Sequence, residues 1–161
     1  MIRERLALRP VTADDLPLFF THEQNREAQR MAGFVPPDPS DRGAFDAHWQ
    51  RLLDDESIVK RTIELDGEVV GHIASWLEQG DREITYWIDP YHWGKGIATT
   101  AVALFVEELT DRPLFARAAR DNLGSIRVLE KNGFEIIGTD RGFANARGEE
   151  IDEVICRLSE P

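Results

Sequence analysis

Two glycines separated by a single residue lie directly before a helical pattern, and this arrangement can bind phosphate. The segment 93–99 reads WGKGIAT and follows a β-rich run. Glycine lets the backbone pass close to a ligand, and the first amides of a helix are unpaired donors at the positive end of its dipole. An ordinary tight turn has the same pattern. The dinucleotide-binding and Walker phosphate motifs both fail here, the first at Thr99 and the second at Gly96.

A second candidate segment lies downstream at residues 122–134, NLGSIRVLEKNGF. Asn122 is a favourable helix N-cap, and Gly133 is a favourable residue to end the helix. Ser125 carries a hydroxyl in the first turn of that helix, where it also fits as an ordinary first-turn residue. The segment therefore predicts a helix whose start carries two polar side chains, Asn122 and Ser125.

The elements that position these segments follow from periodicity and turn residues. Asp66-Gly67 is a strong hairpin signal, and the prolines of residues 35–39 (VPPDP) separate two early helices. Helices are predicted from Thr12, from Ser40, at 97–110 and at 122–132. Strands are predicted at 5–10, 58–65, 68–77, 83–89, 114–118, 134–138 and 150–158. The order β-α-α-β-β-β-α-β-α-β-β predicts an α/β fold with a mixed sheet, in which periodicity buries at least Trp49 and Trp76.

Composition limits the remaining possibilities. The 161 residues, 42% hydrophobic and 30% charged, predict one ordered domain over 1–161. Cys156 is the only cysteine, so a reducing compartment is expected and the cytoplasm is the default. A net charge of -11 disfavours nucleic acid as a partner. Residues 1–5 lead directly into a strand pattern, no apolar run reaches a membrane span, and the four histidines are scattered, so neither membrane insertion nor a metal is expected.

The order of these motifs resembles that of the GNAT superfamily of N-acetyltransferases, in its RimJ/RimL-like branch. The resemblance is carried by residues 6–15 (LALRPVTADD), 83–90 (EITYWIDP), 93–99 and 122–134, and it covers essentially the whole chain. It implies the GNAT fold: a single mixed, mostly antiparallel sheet with flanking helices and a βαβ acetyl-CoA-binding unit.

The same resemblance implies transfer of an acetyl group from acetyl-CoA directly to a primary amine, either a protein N-terminal α-amine or a small cationic amine. The CoA pyrophosphate would bind the backbone at Gly94, Lys95, Gly96, Ile97, Ala98 and Thr99. The pantetheine arm would lie along the strand that ends near Ile88 and would contact Asn122. A CoA-binding sensor without turnover, transfer of another acyl group such as succinyl, and a homodimer all stay open.

Catalytic roles follow from the resemblance with one departure. Many relatives carry a tyrosine where this chain has Leu129, whereas RimL-like members have a serine that corresponds to Ser125. Ser125 is therefore expected to donate a hydrogen bond to the leaving thiolate, and an amide near Ile88 to polarise the carbonyl. Glu83 matches the general base of histone-acetylating relatives, and it also fits as a solvated strand residue. Asp89 and His92 are weaker candidates for the base.

The acceptor is the least constrained part of the hypothesis. The loop 141–149 and the first two helices are expected to shape its pocket. Asp38, Asp41 and Asp46 are expected to border its entrance, where negative charge would favour a cationic amine. The alternative is that these acids belong to a generally acidic surface that keeps the protein soluble.

Overall fold

A seven-stranded sheet lies at the centre of the computed structural model, which describes residues 1–160. The strands follow the order β1-β2-β3-β4-β5-β7-β6 across the sheet. They are β1 (Leu6–Pro10), β2 (Val59–Leu65), β3 (Glu68–Glu78), β4 (Asp81–Ile88), β5 (Leu114–Ala119), β6 (Glu135–Ala144) and β7 (Glu149–Leu158). All neighbouring pairs are antiparallel except β4 and β5. The predicted mixed, mostly antiparallel sheet is confirmed.

Six α-helices accompany the sheet within residues 1–160. They are α1 (Ile2–Arg5), α2 (Leu16–His22), α3 (Arg26–Ala32), α4 (Arg42–Asp54), α5 (Ile97–Glu108) and α6 (Leu123–Lys131). Helix α5 connects the parallel strands β4 and β5, which forms the predicted βαβ unit. Four helices precede β2, so the prediction of only two is wrong. Helix α2 ends at His22, and α3 starts anew because the side chain of Asn25 accepts a hydrogen bond from the amide of Ala28 at 2.9 Å.

The two faces of the sheet carry different packing. On one face, Val102 and Phe105 of α5 are fully buried against strand residues such as Ile73. On the other face, His72 packs between Phe19 and Trp49, with ring centroids 4.6 and 5.1 Å apart. Trp49 is buried as predicted, whereas Trp76 is only half-buried.

A buried ion pair explains the charged residues of the first motif. Asp15 is 3% exposed and accepts hydrogen bonds from Arg9 at 2.7 and 2.8 Å and from the Thr62 hydroxyl at 2.7 Å. Burial alone would raise the pKa of Asp15, but these bonds outweigh it and lower the pKa to about 2. The pair fixes the start of α2 to β1 and β2.

The last hairpin is longer than the sequence predicts. Strand β6 continues to Ala144, where it still pairs with Glu149 of β7, so the expected loop 141–149 is wrong. Nearly every side chain of this edge strand is exposed. Its residues therefore lack the alternation between buried and exposed positions by which a strand is detected in a sequence.

Candidate active site

A fork between two strands forms the centre of the candidate site. Strands β4 and β5 pair only at Arg82 with Leu114 and at Glu83 with Phe115. Beyond this point they separate. The amide of Asp89 donates a hydrogen bond of 2.8 Å to the carbonyl of Val70 on β3. Because the backbone groups of successive strand residues point to opposite sides, those of residues 86 and 88 face the gap. The fork thus offers a free strand edge, to which an extended ligand can bind.

The fork opens into a cleft of about 530 Å³, which we call the fork cleft. Its walls come from α3, from the end of β4, from the glycine turn and from the start of α6. Among the residues predicted to act, the cleft is lined by Ile88, His92, Gly94, Gly96, Ile97, Ala98, Thr99, Asn122 and Ser125. Lys95, Glu83 and Asp89 do not line it, so their predicted roles lack this support.

The glycine turn lies at one end of the fork cleft. Gly94 and Gly96 both have φ of 78°, a conformation that favours glycine, and an added Cβ at either position would meet no atom within 4 Å. The carbonyl of Gly96 accepts the first intrahelical bond of α5, from Thr100 at 3.1 Å. The amides of residues 97–99 consequently have no partner within the helix and are available to an anion.

Two hydroxyl groups meet inside the cleft. The Oη of Tyr86 lies 2.6 Å from the Oγ of Ser125, and we call these groups the hydroxyl pair. Ser125 is held at the start of α6, where its amide donates to the side chain of Asn122 at 3.2 Å. Burial raises the pKa of Tyr86 to about 12, so the phenol stays protonated at physiological pH. Leu129 is fully buried in the core, and no hydroxyl comes from the position of the usual tyrosine.

Sequence reasoning selected Ser125 and missed Tyr86. The alternation of β4 does place Tyr86 on one face with Ile84 and Ile88, but that pattern also describes a core residue. The partner is 39 residues away on another element, and nothing local in the sequence indicates the contact.

Glu83 lies at the closed end of the fork, away from the hydroxyl pair. Its carboxylate is 3.6 Å from the guanidinium of Arg117, which also contacts Glu153 at 2.8 Å and Asp140 at 3.0 Å. The Glu83 side chain is 14% exposed. Burial raises its pKa, and Arg117 partly opposes the shift. The geometry shows an ion-paired carboxylate that does not touch the cleft.

The three acids expected at the acceptor entrance each bind a group that is near them in the sequence. Asp38 accepts hydrogen bonds from the amide and hydroxyl of Ser40 at 3.0 and 2.6 Å. Asp41 caps α4, and Asp46 pairs with Arg42 at 3.0 Å. Their positions follow from local turn and helix chemistry.

Two further classes of site are not found in the described part of the chain. Residues 1–160 contain no group of three or more His, Cys, Asp or Glu side chains arranged to hold a metal ion. Within the same range, no helix has the length and apolar character needed to cross a membrane.

Comparison with known proteins identifies related chains. The family model for the acetyltransferase (GNAT) domain matches residues 5–135. The chain is 30% identical over 129 residues to the L-amino acid N-acetyltransferase AaaT of Escherichia coli (strain K12), an alignment that covers 72% of this chain and 75% of that one. These matches agree with the predicted family.

Solved structures extend the comparison to the fold. The Vibrio cholerae spermidine N-acetyltransferase with CoA and spermine has a TM-score of 0.83 at 18% identity and covers 97% of this chain and 96% of its own. RimL, a ribosomal L7/L12 α-N-protein acetyltransferase in complex with CoA, has a TM-score of 0.82 at 16% identity and covers 99% and 96%. At such identities the likeness concerns the fold.

Proposed function

Because the chain belongs to the GNAT family of N-acetyltransferases, we propose that it transfers the acetyl group of acetyl-CoA directly to a primary amine. The observation that carries this proposal is the fork cleft, which joins a free strand edge, a glycine turn at a helix start and the hydroxyl pair. A cytoplasmic location stays a prediction, supported by the free thiol of Cys156.

The residues of the cleft fit the chemical groups of CoA. The pyrophosphate would bind the amides of residues 94–99, where the glycines leave open space. The pantetheine arm would lie against the free edge of β4 near Ile88 and reach the side chain of Asn122. Lys95, which is exposed, would add positive charge near the phosphates. CoA supplies the thioester, in which the acetyl group is activated.

In the proposed reaction the amine nitrogen bonds to the acetyl carbon, the carbon–sulfur bond breaks and the amine loses a proton. The amide of Ile88 faces the gap and would donate to the carbonyl oxygen as negative charge develops there. The carbonyl of Ile88 is already bonded to the indole of Trp93 at 3.0 Å, which fixes the backbone at this point.

The hydroxyl pair would stabilise the thiolate without giving up its proton. The pKa of Tyr86 is raised to about 12, whereas an ordinary thiol has a pKa of about 8.5. Complete transfer of the phenolic proton would therefore cost about 5 kcal/mol. A hydrogen bond donated by the pair to the sulfur avoids this cost.

The demand for a general base depends on the amine. An α-amine with a pKa near 8 loses its proton at pH 7 for about 1.4 kcal/mol, whereas a lysine near 10.4 requires more than about 4 kcal/mol. Glu83 stays the candidate base, and burial, which raises its pKa, makes its carboxylate a stronger base than an exposed one. Its distance from the cleft favours an α-amine, which needs little assistance.

Both acceptor classes inferred from the sequence, a protein N-terminus and a small cationic amine, fall within this proposal. The similar structures include enzymes named for spermidine and for ribosomal L7/L12, and the relative AaaT is named for L-amino acids. Hydrogen bonds from neutral donors do not neutralise Asp38 and Asp41, and only Asp46 pairs with a cation, so these acids do not decide between the two acceptor classes. We favour an α-amine because it needs the least assistance from a general base.

The decisive experiment offers acetyl-CoA and succinyl-CoA with a panel of amino acids, peptides, polyamines and aminoglycosides. Thiol release gives the rate, and mass spectrometry identifies the acylated product. Gly96→Glu should lower CoA affinity at least 100-fold by calorimetry, because it places a carboxylate in the phosphate site. Gly80→Glu is the matched control, since Gly80 also has a positive φ and open space around its Cβ but lies in the β3–β4 turn. Tight CoA binding without acylation of any amine would indicate a sensor and refute the transfer.

A further inference from the structure

A second cleft, rich in arginine, opens beside the fork cleft. It has a volume of about 520 Å³ and is lined by Arg26, Glu27, Arg30, Met31, Asp121 and Arg147. We call it the arginine cleft. Three guanidinium groups face two carboxylates there, although the whole chain has a net charge of -11. Cationic side chains therefore outnumber anionic ones in the lining, and a third carboxylate, that of Glu149, lies near Arg147 outside it.

The arginine cleft is next to the candidate active site. Met31 of α3 lines both clefts. Asp121 directly precedes Asn122, which lines the fork cleft and caps the helix that carries Ser125. A small molecule in the arginine cleft would thus lie beside the cavity in which the hydroxyl pair is found.

One wall of the arginine cleft is held firmly. Arg147, in the turn between β6 and β7, donates two hydrogen bonds of 2.8 Å to the carboxylate of Asp121 and one of 2.6 Å to the backbone carbonyl of Arg30. Its side chain is only 11% exposed. The hydrogen bonds from Arg147 lower the pKa of Asp121, and the nearby charge of Arg30 adds to this shift. Asp121 is therefore already bound to Arg147.

The other two arginines have no such partner. Arg26 and Arg30 are four residues apart, on one face of α3, and neither forms a side-chain hydrogen bond or an ion pair within residues 1–160. Like charges at this spacing destabilise a helix. An anion between them would remove that repulsion, and the planar guanidinium group matches the two oxygens of a carboxylate.

We propose that the arginine cleft binds a carboxylate of the acceptor through Arg26 and Arg30, so that the preferred acceptor is a free amino acid. This inference rests on the proposed acetyl transfer and adds the acceptor class. Because the amine and the carboxylate of an amino acid are on the same carbon, the acceptor would bind beside Met31, the residue that lines both clefts.

The test compares three acceptors with the same side chain: phenylalanine, phenylalaninamide and phenethylamine. With saturating acetyl-CoA, we expect kcat/KM for the amino acid to exceed that of each of the others at least tenfold. The amine of phenylalaninamide is less basic than that of phenylalanine, so a larger share of it is neutral near pH 7. Intrinsic reactivity alone would therefore favour the amide, which is opposite to the preference we expect from the arginine cleft. Arg30→Gln should reduce the preference to below threefold while CoA affinity stays unchanged, and Arg26→Gln should act in the same direction. Arg157→Gln, an exposed arginine on β7, should retain the full preference.

Several results would overturn the inference. These are equal use of the acid and the amide, a stronger preference for phosphoethanolamine, or an Arg30→Gln variant that loses CoA affinity and keeps the acid preference. The last result would assign the arginines to the phosphates of CoA.

A binding measurement separates this inference from the proposed function. If no amine is acetylated, the proposed function fails, and calorimetry on the CoA-saturated protein still tests the cleft. N-acetylphenylalanine should bind at least tenfold more tightly than its amide, and Arg30→Gln should abolish that difference. Equal binding of the two ligands by the unaltered protein would refute the carboxylate site.

Discussion

Removal of the Tyr86 hydroxyl is the most direct test of how the leaving group is stabilised. Tyr86→Phe keeps the ring and deletes the oxygen that lies 2.6 Å from Ser125. A hydrogen bond to a charged group contributes about 1.5 to 3 kcal/mol, so kcat should fall roughly 10-fold to 150-fold. Because the proposed phosphate contacts lie at residues 94–99, the affinity for CoA should change less than threefold. Single-turnover kinetics at saturating acetyl-CoA separate these two quantities.

The pair should behave as one unit. Since each hydroxyl is the other's partner, Ser125→Ala should cost about as much as Tyr86→Phe, and the double variant should lose little more than either single variant. The pKa of Tyr86 is about 12, so the phenol loses its proton only as pH rises towards 12. The rate should therefore show no tyrosine-dependent fall between pH 7 and 10. Losses that multiply in the double variant, or full activity in Tyr86→Phe, would refute the paired role.

Three further predictions concern the base, the sheet and its buried histidine. Glu83→Gln should lower kcat more than tenfold and remove the decline in rate at low pH if Glu83 is the base. Glu56→Gln, at an exposed position in the turn before β2, should change neither, and equal profiles for Glu83→Gln and the unaltered protein would exclude Glu83. Gly71→Ala should lower the free energy of unfolding by about 1 to 3 kcal/mol, because an added Cβ would collide with the backbone carbonyl of Trp87. Gly43→Ala in α4 should not destabilise the protein, and chemical denaturation measures both variants. Burial lowers the pKa of His72 to about 3, whereas a histidine in the unfolded chain has a pKa of about 6.5. The unfolded chain therefore binds the proton more readily as pH falls, and the free energy of unfolding should fall by about 1.5 kcal/mol between pH 6.5 and 5. A His72→Leu variant with the same dependence of stability on pH would contradict this account.

The parts of the site that the sequence predicts are those determined by local chemistry. The two glycines before α5 and the cap at Asn122 each act within a few residues, so their roles follow from the order of residue types. The hairpin at Asp66 and Gly67 is predictable for the same reason. The GNAT resemblance depends on these local signals in their order along the chain.

The parts that escaped prediction depend on contacts between distant segments. The hydroxyl pair joins β4 to α6, and its existence depends on how far β4 and β5 separate. Arg147 reaches Asp121 and the end of α3 only because β6 and β7 form a long hairpin. Neither relation leaves a periodic or compositional signal in the sequence.

The proposed carboxylate site illustrates why net charge is a poor guide to a binding site. A charge of -11 on the protein acts through water and salt, and it is screened beyond a Debye length of about 8 to 10 Å. Asp38, one of the acids expected at the acceptor entrance, binds Ser40 and lines neither cleft. Arg26 and Arg30 form no ion pair within residues 1–160 and line a cleft, where the proposed ligand carboxylate would meet them at hydrogen-bond distance. Contact with two guanidinium groups outweighs a screened repulsion from the surface, so an acidic protein can still select an acidic acceptor.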